Sequence, residues 1–129
     1  MRILLDTSAY SAFMRGDHDT AEMVREAGEI YLSVVTLGEL KAGAARGKRK
    51  KKNDSELKEF LSSPRVRVLS ADMDTSECYS AILTRLWEMG TPIPTNDIWI
   101  AASAMQHGLR LVTTDHHFEK VAQIISVIL

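Results

Sequence analysis

"PTNDIWIAASAMQHGLRLVTTD" (residues 94–115) places a helical pattern directly before an apolar strand. Asp97, Ala101 and Ala104 fall at spacings of four and three, so they share one face of a helix predicted over residues 95–107. The run "LRLVT" (109–113) that follows is almost entirely apolar, which is typical of a strand covered by helices on both faces. A helix that leads straight into such a strand indicates parallel strands joined by helical crossovers.

The same alternation of strand and helix extends along the whole chain. Besides residues 109–113, short aliphatic or β-branched runs predict strands at "RILL" (2–5), "IYLSV" (30–34), "VRVLS" (66–70) and "ISVIL" (125–129). Helical patterns lie at residues 7–15, 18–27, 36–46, 55–62, 73–89 and 95–107, with a short one near 116–122. We therefore predict an α/β fold in which a single domain, residues 1–129, has a five-stranded parallel sheet with helices on both faces.

The strand runs differ in how apolar they are. "RVRVLS" alternates Arg65 and Arg67 with Val66 and Val68, which predicts that the third strand lies at an edge of the sheet. The first, fourth and fifth runs are nearly all apolar, which predicts that helices cover these strands on both faces.

Composition limits the class of protein. The chain is 45% hydrophobic and 26% charged, as in ordinary globular proteins, and no apolar run approaches the ~18 residues of a membrane span. The N-terminal residues lack the pattern of a secretory signal, so we expect a cytoplasmic protein without membrane contact. Cys78 is the only cysteine, which excludes an intramolecular disulfide and a cysteine-based zinc site.

Positive charge is concentrated in one segment. The net charge is −1, yet residues 46–52 contain six basic side chains, so the remainder of the chain is strongly acidic. Such a run is either a solvated loop or helix end, or a contact for a polyphosphate backbone, and charge alone leaves both open. The six residues are Arg46, Lys48, Arg49, Lys50, Lys51 and Lys52.

Four acids fall where a ligand would bind in a parallel sheet, which is beyond the carboxyl ends of the strands. Asp6 follows "RILL", and Asp115 follows "LRLVTT". Glu39 is predicted on the first turn of the helix after "IYLSV", and Asp97 on the first turn of its own helix. We expect all four to meet at one edge of the sheet.

Each acid also has a purely structural explanation. Asp6 and Asp115 could cap the helices that follow them, and Asp97 could complement a helix dipole behind Thr95 as the N-cap. Thr36 and Glu39 have the spacing of a capping box.

The four acids together are harder to explain structurally, because neighbouring like charges raise pKa values or require a cation. No histidine or cysteine accompanies them at ligand spacing, and an all-oxygen set suits Mg²⁺ or Mn²⁺ rather than zinc. Cation sites of this kind support hydrolysis of phosphate esters.

Three segments resemble one known family. "ILLDTSAYSAF", "SVVTLGELKAG" and "PIPTNDIWIAASAMQHGLRLVTTDHHF" are similar to the acid-bearing segments of PIN-domain nucleases, and among them of VapC-type toxins of toxin–antitoxin pairs. The resemblance implies a Mg²⁺-dependent endoribonuclease that hydrolyses phosphodiester bonds of structured RNA, such as transfer RNA or ribosomal RNA. It also implies a homodimer and a cognate VapB-type antitoxin.

The resemblance assigns roles residue by residue. Asp6 and Asp97 match the principal Mg²⁺ ligands, and Glu39 and Asp115 complete the catalytic set of acids. It leaves His116 and His117, which lie beside Asp115, without a ligand role. The hydroxyls of Thr7, Ser8 and Thr113 would hold waters or the scissile phosphate, and the basic run (residues 46–52) would contact RNA.

Two other functions are compatible with parts of the sequence. A non-catalytic RNA-binding module could have the same fold without turnover. An aspartate-based phosphotransfer domain also places an acid after its first strand. The haloacid-dehalogenase pattern, however, needs a second aspartate where this chain has Ser8, and a receiver domain needs an acidic pair where "MRILLD" has one acid.

Overall fold

Five parallel strands form one sheet in the order β3-β2-β1-β4-β5. The structure is a computed structural model and describes residues 1–129. The five-stranded parallel sheet confirms the predicted fold class. The strands are β1 (Arg2–Leu5), β2 (Glu29–Ser33), β3 (Val66–Leu69), β4 (Arg110–Thr113) and β5 (Ile125–Ile128).

Six α-helices and one short 3₁₀ helix connect the strands. None of the helices combines the length and the apolar composition that crossing a membrane requires. The α-helices are α1 (Thr7–Met14), α2 (His18–Glu26), α3 (Val34–Arg46), α4 (Lys50–Leu61), α5 (Met73–Met89) and α6 (Thr95–His107), and the 3₁₀ helix is His116–Lys120.

Helices cover both faces of the sheet because strand side chains alternate between them. Leu4 and Leu111 point to one face, where they pack in a core cluster with residues of α5 and α6. Ile3, Leu5 and Val112 point to the other face, where they pack with residues of α1, α2 and α4. The two clusters are the apolar layers that fix β1 and β4 in the middle of the molecule.

The central position of β1 and β4 brings their carboxyl ends together. The strands are in parallel register, with Leu5 opposite Val112. The ladder continues one residue further, since the backbone N–H of Asp6 donates to Val112 O at 3.2 Å. The residues that follow these two strands are therefore adjacent.

The two edges of the sheet are β3 and β5. The prediction that the third strand lies at an edge is confirmed. The prediction that helices cover β5 on both faces is wrong, because its first residue, Ile125, is 62% exposed and the rest of the strand is only partly buried. An apolar run does not reveal that a strand has only one neighbour.

Helix α3 begins two residues earlier than the sequence predicted. The Ser33 hydroxyl accepts from the backbone N–H of Val35 at 3.0 Å, so Ser33 is the N-cap. Glu39 consequently lies on the second turn, not the first. The capping box is absent, since the Thr36 hydroxyl is buried without a hydrogen-bond partner.

Helix α4 begins at Lys50 rather than at residue 55. Lysine is a good helix former, and Lys50 and Lys52 form ion pairs with Asp54 and Glu56 one turn further on, at 2.7 and 3.8 Å. The basic run therefore covers the end of α3, the turn at residues 47–49 and the start of α4. In α6, the N-cap is Pro94 rather than Thr95, and no side chain caps that helix.

Candidate functional site

Asp6 lies at the end of β1 and is fixed by three hydrogen bonds. Its Oδ1 accepts from the backbone N–H of Ala9 at 2.8 Å and from the Ser8 hydroxyl at 2.7 Å. Its Oδ2 accepts from the Thr113 hydroxyl, at the end of β4, at 2.6 Å. Asp6 is therefore the N-cap of α1, which was its structural explanation in the sequence. It is also held against the end of β4. It is only 3% exposed.

Asp115 lies two residues after the end of β4 and faces Asp97. Its backbone N–H donates to the Thr113 hydroxyl at 2.9 Å, and its Oδ1 accepts from the backbone N–H of His117 at 2.9 Å, which caps the 3₁₀ helix. The imidazole Nδ1 of His117 lies 3.2 Å from Asp97 Oδ2 and 3.2 Å from Asp115 Oδ2. The ligand atoms of these three residues all lie within 4.8 Å of one another.

Small side chains seat helix α6 against the sheet, so that Asp97 reaches the strand ends. Ala101 and Ala104 are almost completely buried in the cluster that contains Leu4 and Leu111. Asp97 lies on the first turn of α6, where its charge also complements the helix dipole. Asp97 therefore complements the helix dipole and also points toward the strand ends.

Glu39 is connected to the site by hydrogen bonds with Thr7 and Asn96. Its Oε1 accepts from the Thr7 hydroxyl at 2.5 Å, and its Oε2 lies 3.4 Å from the side-chain nitrogen of Asn96. Thr7 follows Asp6 and Asn96 precedes Asp97, so Glu39 is linked to both acids. It is not one of the three residues whose ligand atoms cluster within 4.8 Å, and neither is Asp6.

The electrostatic environment of Asp6 opposes its charge. Burial is the largest effect and raises the pKa of Asp6 above its ordinary value. Hydrogen bonds from Thr113, Ala9 and Ser8 act in the other direction, while the nearby charge of Asp115 raises the pKa further.

Asp97 is affected in the same way. Burial raises the pKa of Asp97, the hydrogen bond from His117 opposes that change, and the charges of Asp115 and Asp6 raise the pKa further. The charge of Asp115 therefore acts on both Asp6 and Asp97.

Almost the whole chain matches one family. A model of the PIN domain matches residues 3–124. Ribonuclease VapC4 of Mycobacterium tuberculosis is 32% identical over 126 residues, which are 95% of this chain and 93% of the relative. The VapC ribonuclease Y4jK of Sinorhizobium fredii is 32% identical over 121 residues, or 88% of this chain and 86% of the relative. The chain belongs to the VapC family of PIN-domain ribonucleases.

Solved structures agree with this assignment. The chain is similar to the crystal structure of VapBC2 from Rickettsia felis bound to a promoter DNA fragment, with a TM-score of 0.84, 27% identity and 98% of each chain covered. It is also similar to the DNA-bound VapBC of Salmonella typhimurium, with a TM-score of 0.87 and 26% identity over 98% of this chain and 97% of the other. The observed five-stranded sheet is therefore the PIN fold.

The donor set of this PIN domain fits a divalent cation. The charge of Asp115 raises the pKa of both Asp6 and Asp97, and no lysine or arginine forms an ion pair with any of these three acids. A hard divalent cation would balance the negative charge of such a group of carboxylates. In one respect the set differs from the all-oxygen group that the sequence indicated, because the nitrogen of His117 lies among the carboxylate oxygens.

The basic run lies away from these acids. Arg46 ends α3, Lys48 and Arg49 connect the helices, and residues 50–52 form the first turn of α4. Arg46 is seven residues beyond Glu39, which is about 10 Å along the helix axis. Arg46 therefore flanks the site rather than lining it.

A cavity of about 340 Å³ extends from the site between α1, α3 and α4. Thr7 and Glu39 line its end nearest the acids, while Tyr10, Leu40 and Leu57 supply part of an apolar wall. Of the four candidate acids, only Glu39 lines this cavity, which extends to the face of α4 that follows the basic run.

Sequence reasoning missed two residues, His117 and Asn96. Both lie next to or near predicted acids in the chain, since His117 follows Asp115 by two residues and Asn96 directly precedes Asp97. Proximity in sequence was the only available signal. It could not show which of His116 and His117 turns toward the carboxylates.

Proposed function

We propose that this chain is the toxin of a toxin–antitoxin pair and acts as a Mg²⁺-dependent endoribonuclease, with Mn²⁺ as a possible replacement. Its proposed substrates are structured RNAs such as transfer RNA or ribosomal RNA. One observation carries the proposal: side chains from four separate parts of the chain converge at the carboxyl ends of β1 and β4. They are Asp6, Glu39, Asp97 and Asp115.

The four acids would coordinate the cation together. Asp6 and Asp97 are the proposed principal ligands, and Glu39 and Asp115 complete the site directly or through water. When bound, the cation supplies Lewis acidity toward the phosphodiester and lowers the pKa of water.

The neighbouring hydroxyls would act by orienting the acids. The sequence suggested that Thr7, Ser8 and Thr113 hold waters or phosphate, and within the chain their hydroxyls donate to carboxylates. Ser8 and Thr113 fix the two oxygens of Asp6, and Thr7 fixes one oxygen of Glu39. This arrangement supports a catalytic site that is organised before RNA binds.

The basic run would bind the RNA backbone outside the acid cluster. Lys50 and Lys52 are partly offset by Asp54 and Glu56, but Arg46, Lys48 and Arg49 form no ion pair within the chain. Arg46 lies about 10 Å from Glu39 along the axis of α3, so its positive charge suits phosphates that flank the cleaved bond.

A VapB-type antitoxin is the proposed protein partner. The similar structures from Rickettsia felis and Salmonella typhimurium are of VapBC. The cavity between α1, α3 and α4 is partly apolar and is lined by Glu39, so a segment bound there would cover that acid. Growth arrest on expression, relieved by a small protein encoded beside this chain, would test the toxin role.

A homodimer is proposed as well. Trp87 is 70% exposed on α5, and a shallow apolar surface with Leu83 and Ile93 surrounds it. Sedimentation velocity of the protein and of Trp87→Ala would test the proposal, and a monomeric wild type at micromolar concentration would contradict it.

Cleavage of RNA tests the catalytic proposal directly. Total RNA is incubated with wild type, with Asp97→Asn and with the control Asp19→Asn, which alters an exposed acid on α2. We expect Mg²⁺-dependent cleavage by the wild type and the control, and loss of cleavage with EDTA or in Asp97→Asn. Cleavage that survives both EDTA and Asp97→Asn would overturn the metal-nuclease proposal.

The two other functions make different predictions. A non-catalytic module would bind RNA and leave it intact in every reaction. A phosphotransfer domain needs an accessible aspartate, whereas Asp6 is 3% exposed and both of its oxygens accept hydrogen bonds. Incubation with acetyl phosphate is therefore expected to give no acid-labile phosphoaspartate.

A further inference from the structure

His117 lies among the carboxylates without a role in the proposed function. We propose that the His117 imidazole is a direct nitrogen ligand of the divalent cation, and that it makes the site bind Mn²⁺ more tightly than Mg²⁺. This inference rests on the proposed function, because it concerns the same cation site.

The spacing of the ligand atoms supports coordination. In an octahedral site with bonds of about 2.1 Å, adjacent ligand atoms are about 3.0 Å apart. The Nδ1 of His117 lies 3.2 Å from Asp97 Oδ2 and 3.2 Å from Asp115 Oδ2. The nitrogen thus lies at nearly the separation that adjacent ligands need from each of the two oxygens, and all three atoms lie within 4.8 Å of one another.

The position of the ring is fixed by its backbone. The His117 N–H donates to Asp115 Oδ1, so the histidine and one of the acids belong to the same capped turn. The next residue, Phe118, is fully buried in the core cluster with Leu111. The ring itself is partly exposed, which allows a cation to enter beside it.

The adjacent histidine provides a contrast. His116 is 75% exposed, and its Nδ1 lies 3.0 Å from Glu119 instead of the acids of the site. It has the same chemistry and almost the same position in the chain, so it is a matched control.

Ligand chemistry gives the expected selectivity. Imidazole nitrogen binds first-row transition metals well, whereas Mg²⁺ prefers oxygen ligands and retains its waters. A site with one nitrogen beside two carboxylates should therefore favour Mn²⁺ over Mg²⁺. Without a cation, Nδ1 shares a hydrogen bond with Asp97. With the cation bound, the ring must be neutral, with its proton on Nε2, so that Nδ1 can act as a ligand.

Calorimetric titration of EDTA-treated protein with MnCl₂ and with MgCl₂ measures the selectivity. We expect the wild type to bind Mn²⁺ at least about tenfold more tightly than Mg²⁺. His117→Asn, which offers an oxygen in place of the nitrogen, should weaken Mn²⁺ binding about tenfold or more and change Mg²⁺ binding less than about threefold. His116→Asn should change neither affinity.

Pulsed electron paramagnetic resonance of the Mn²⁺-loaded wild type provides a measurement that does not depend on a folded variant. A directly bound imidazole gives a nitrogen modulation, which should be present in the wild type and His116→Asn and absent from His117→Asn. Mn²⁺ binding without that modulation, or an equal loss of both metals in His117→Asn, would overturn the inference.

A failure of this inference can be told from a failure of the proposed function. If Asp97→Asn removes binding of both metals while the wild type lacks the nitrogen signal, only the role of His117 is wrong. If the wild type binds neither metal, both the cation site and the role of His117 are wrong.

Discussion

The candidate site has two parts that are built differently. The floor of the site consists of Asp6, Ser8 and Thr113, and the rim consists of Glu39, Thr7 and Asn96. In the floor, strand ends in the middle of the sheet hold a buried carboxylate through hydrogen bonds of 2.6–2.8 Å. In the rim, a residue on the second turn of α3 is held by one short bond and one of 3.4 Å.

The difference indicates that the carboxylate of the floor must be fixed, whereas the side chain of the rim can adjust. A cation ligand requires a carboxylate that does not move when substrate binds, and the packed ends of β1 and β4 provide that rigidity. A side chain beside an open cavity can shift when RNA or a protein partner arrives. Damage to the floor should therefore cost more than equal damage to the rim.

The largest effect on the cleavage rate is expected from neutralising Asp6 in the floor or Glu39 in the rim. Asp6→Asn should lower the single-turnover rate of RNA cleavage by more than about a hundredfold, the upper end for residues that only support a metal ligand. Glu39→Gln should lower it less, because Glu39 is held at the rim by fewer hydrogen bonds than Asp6. An equal or larger loss in Glu39→Gln would break the comparison.

Removal of one hydroxyl from each part should give the next largest effect. Thr113→Val deletes a buried donor to Asp6 and the acceptor for the Asp115 N–H, so we expect about 1–3 kcal/mol of lost stability in urea unfolding and a 10–100-fold slower cleavage.

Thr7→Val should cost less than about 1 kcal/mol, since its bond to Glu39 is only partly buried. Thr113→Ser and Thr7→Ser keep the hydroxyls and serve as controls. Greater destabilisation by Thr7→Val than by Thr113→Val would show that the floor is not the more rigid part.

A smaller effect should appear in the pH dependence of stability without metal. The folded pKa of Asp97 is raised above its ordinary value of about 4, so the stability that its neutral form contributes is present at low pH. That contribution is lost as pH rises through the folded pKa. In EDTA, the melting temperature of Asp97→Asn relative to wild type should therefore increase from pH 4 to pH 7.

A second acid provides the control of opposite sign. Hydrogen bonds from Thr20 lower the pKa of Asp17, so its stabilising contribution is present at neutral pH and is lost at acidic pH. Asp17→Asn should consequently be less stable than wild type at pH 7, with a difference that shrinks toward pH 3. A flat difference for Asp97→Asn would contradict the electrostatic account of the site.

The smallest effect on chemistry is expected from the basic run, which lies beyond the rim. Changing residues 48–52 to alanine should raise KM and flatten the salt dependence of RNA binding, while kcat changes less than about threefold. Lys120→Ala is a control for the loss of a positive charge elsewhere. An unchanged salt slope in the variant would refute the assignment of the run to RNA binding.

Patterns of period two and period 3.6 predicted the elements well, because each reflects a local rule about which side chains face the core. The start of α3 was misplaced because the signal for the cap, Ser33, lay within the predicted strand. The exposure of β5 was missed because its apolar composition resembles that of central strands, and only pairing distinguishes an edge.

The sequence by itself determined the order of strands and helices and the placement of Asp6 and Asp115 directly after two strands. It also placed an acid on the first turn of α6. These features follow from short-range patterns, in which a few neighbouring residues decide the local backbone.

Only the tertiary structure decided which side chains meet. Thr113 and Asp6 are 107 residues apart in the chain, yet they form the shortest bond of the floor. His117 turns its nitrogen toward Asp97 while His116 turns toward Glu119, although the two histidines are chemically identical. Such contacts depend on the order of strands in the sheet and on the packing of α6 against it, and no local pattern contains that information.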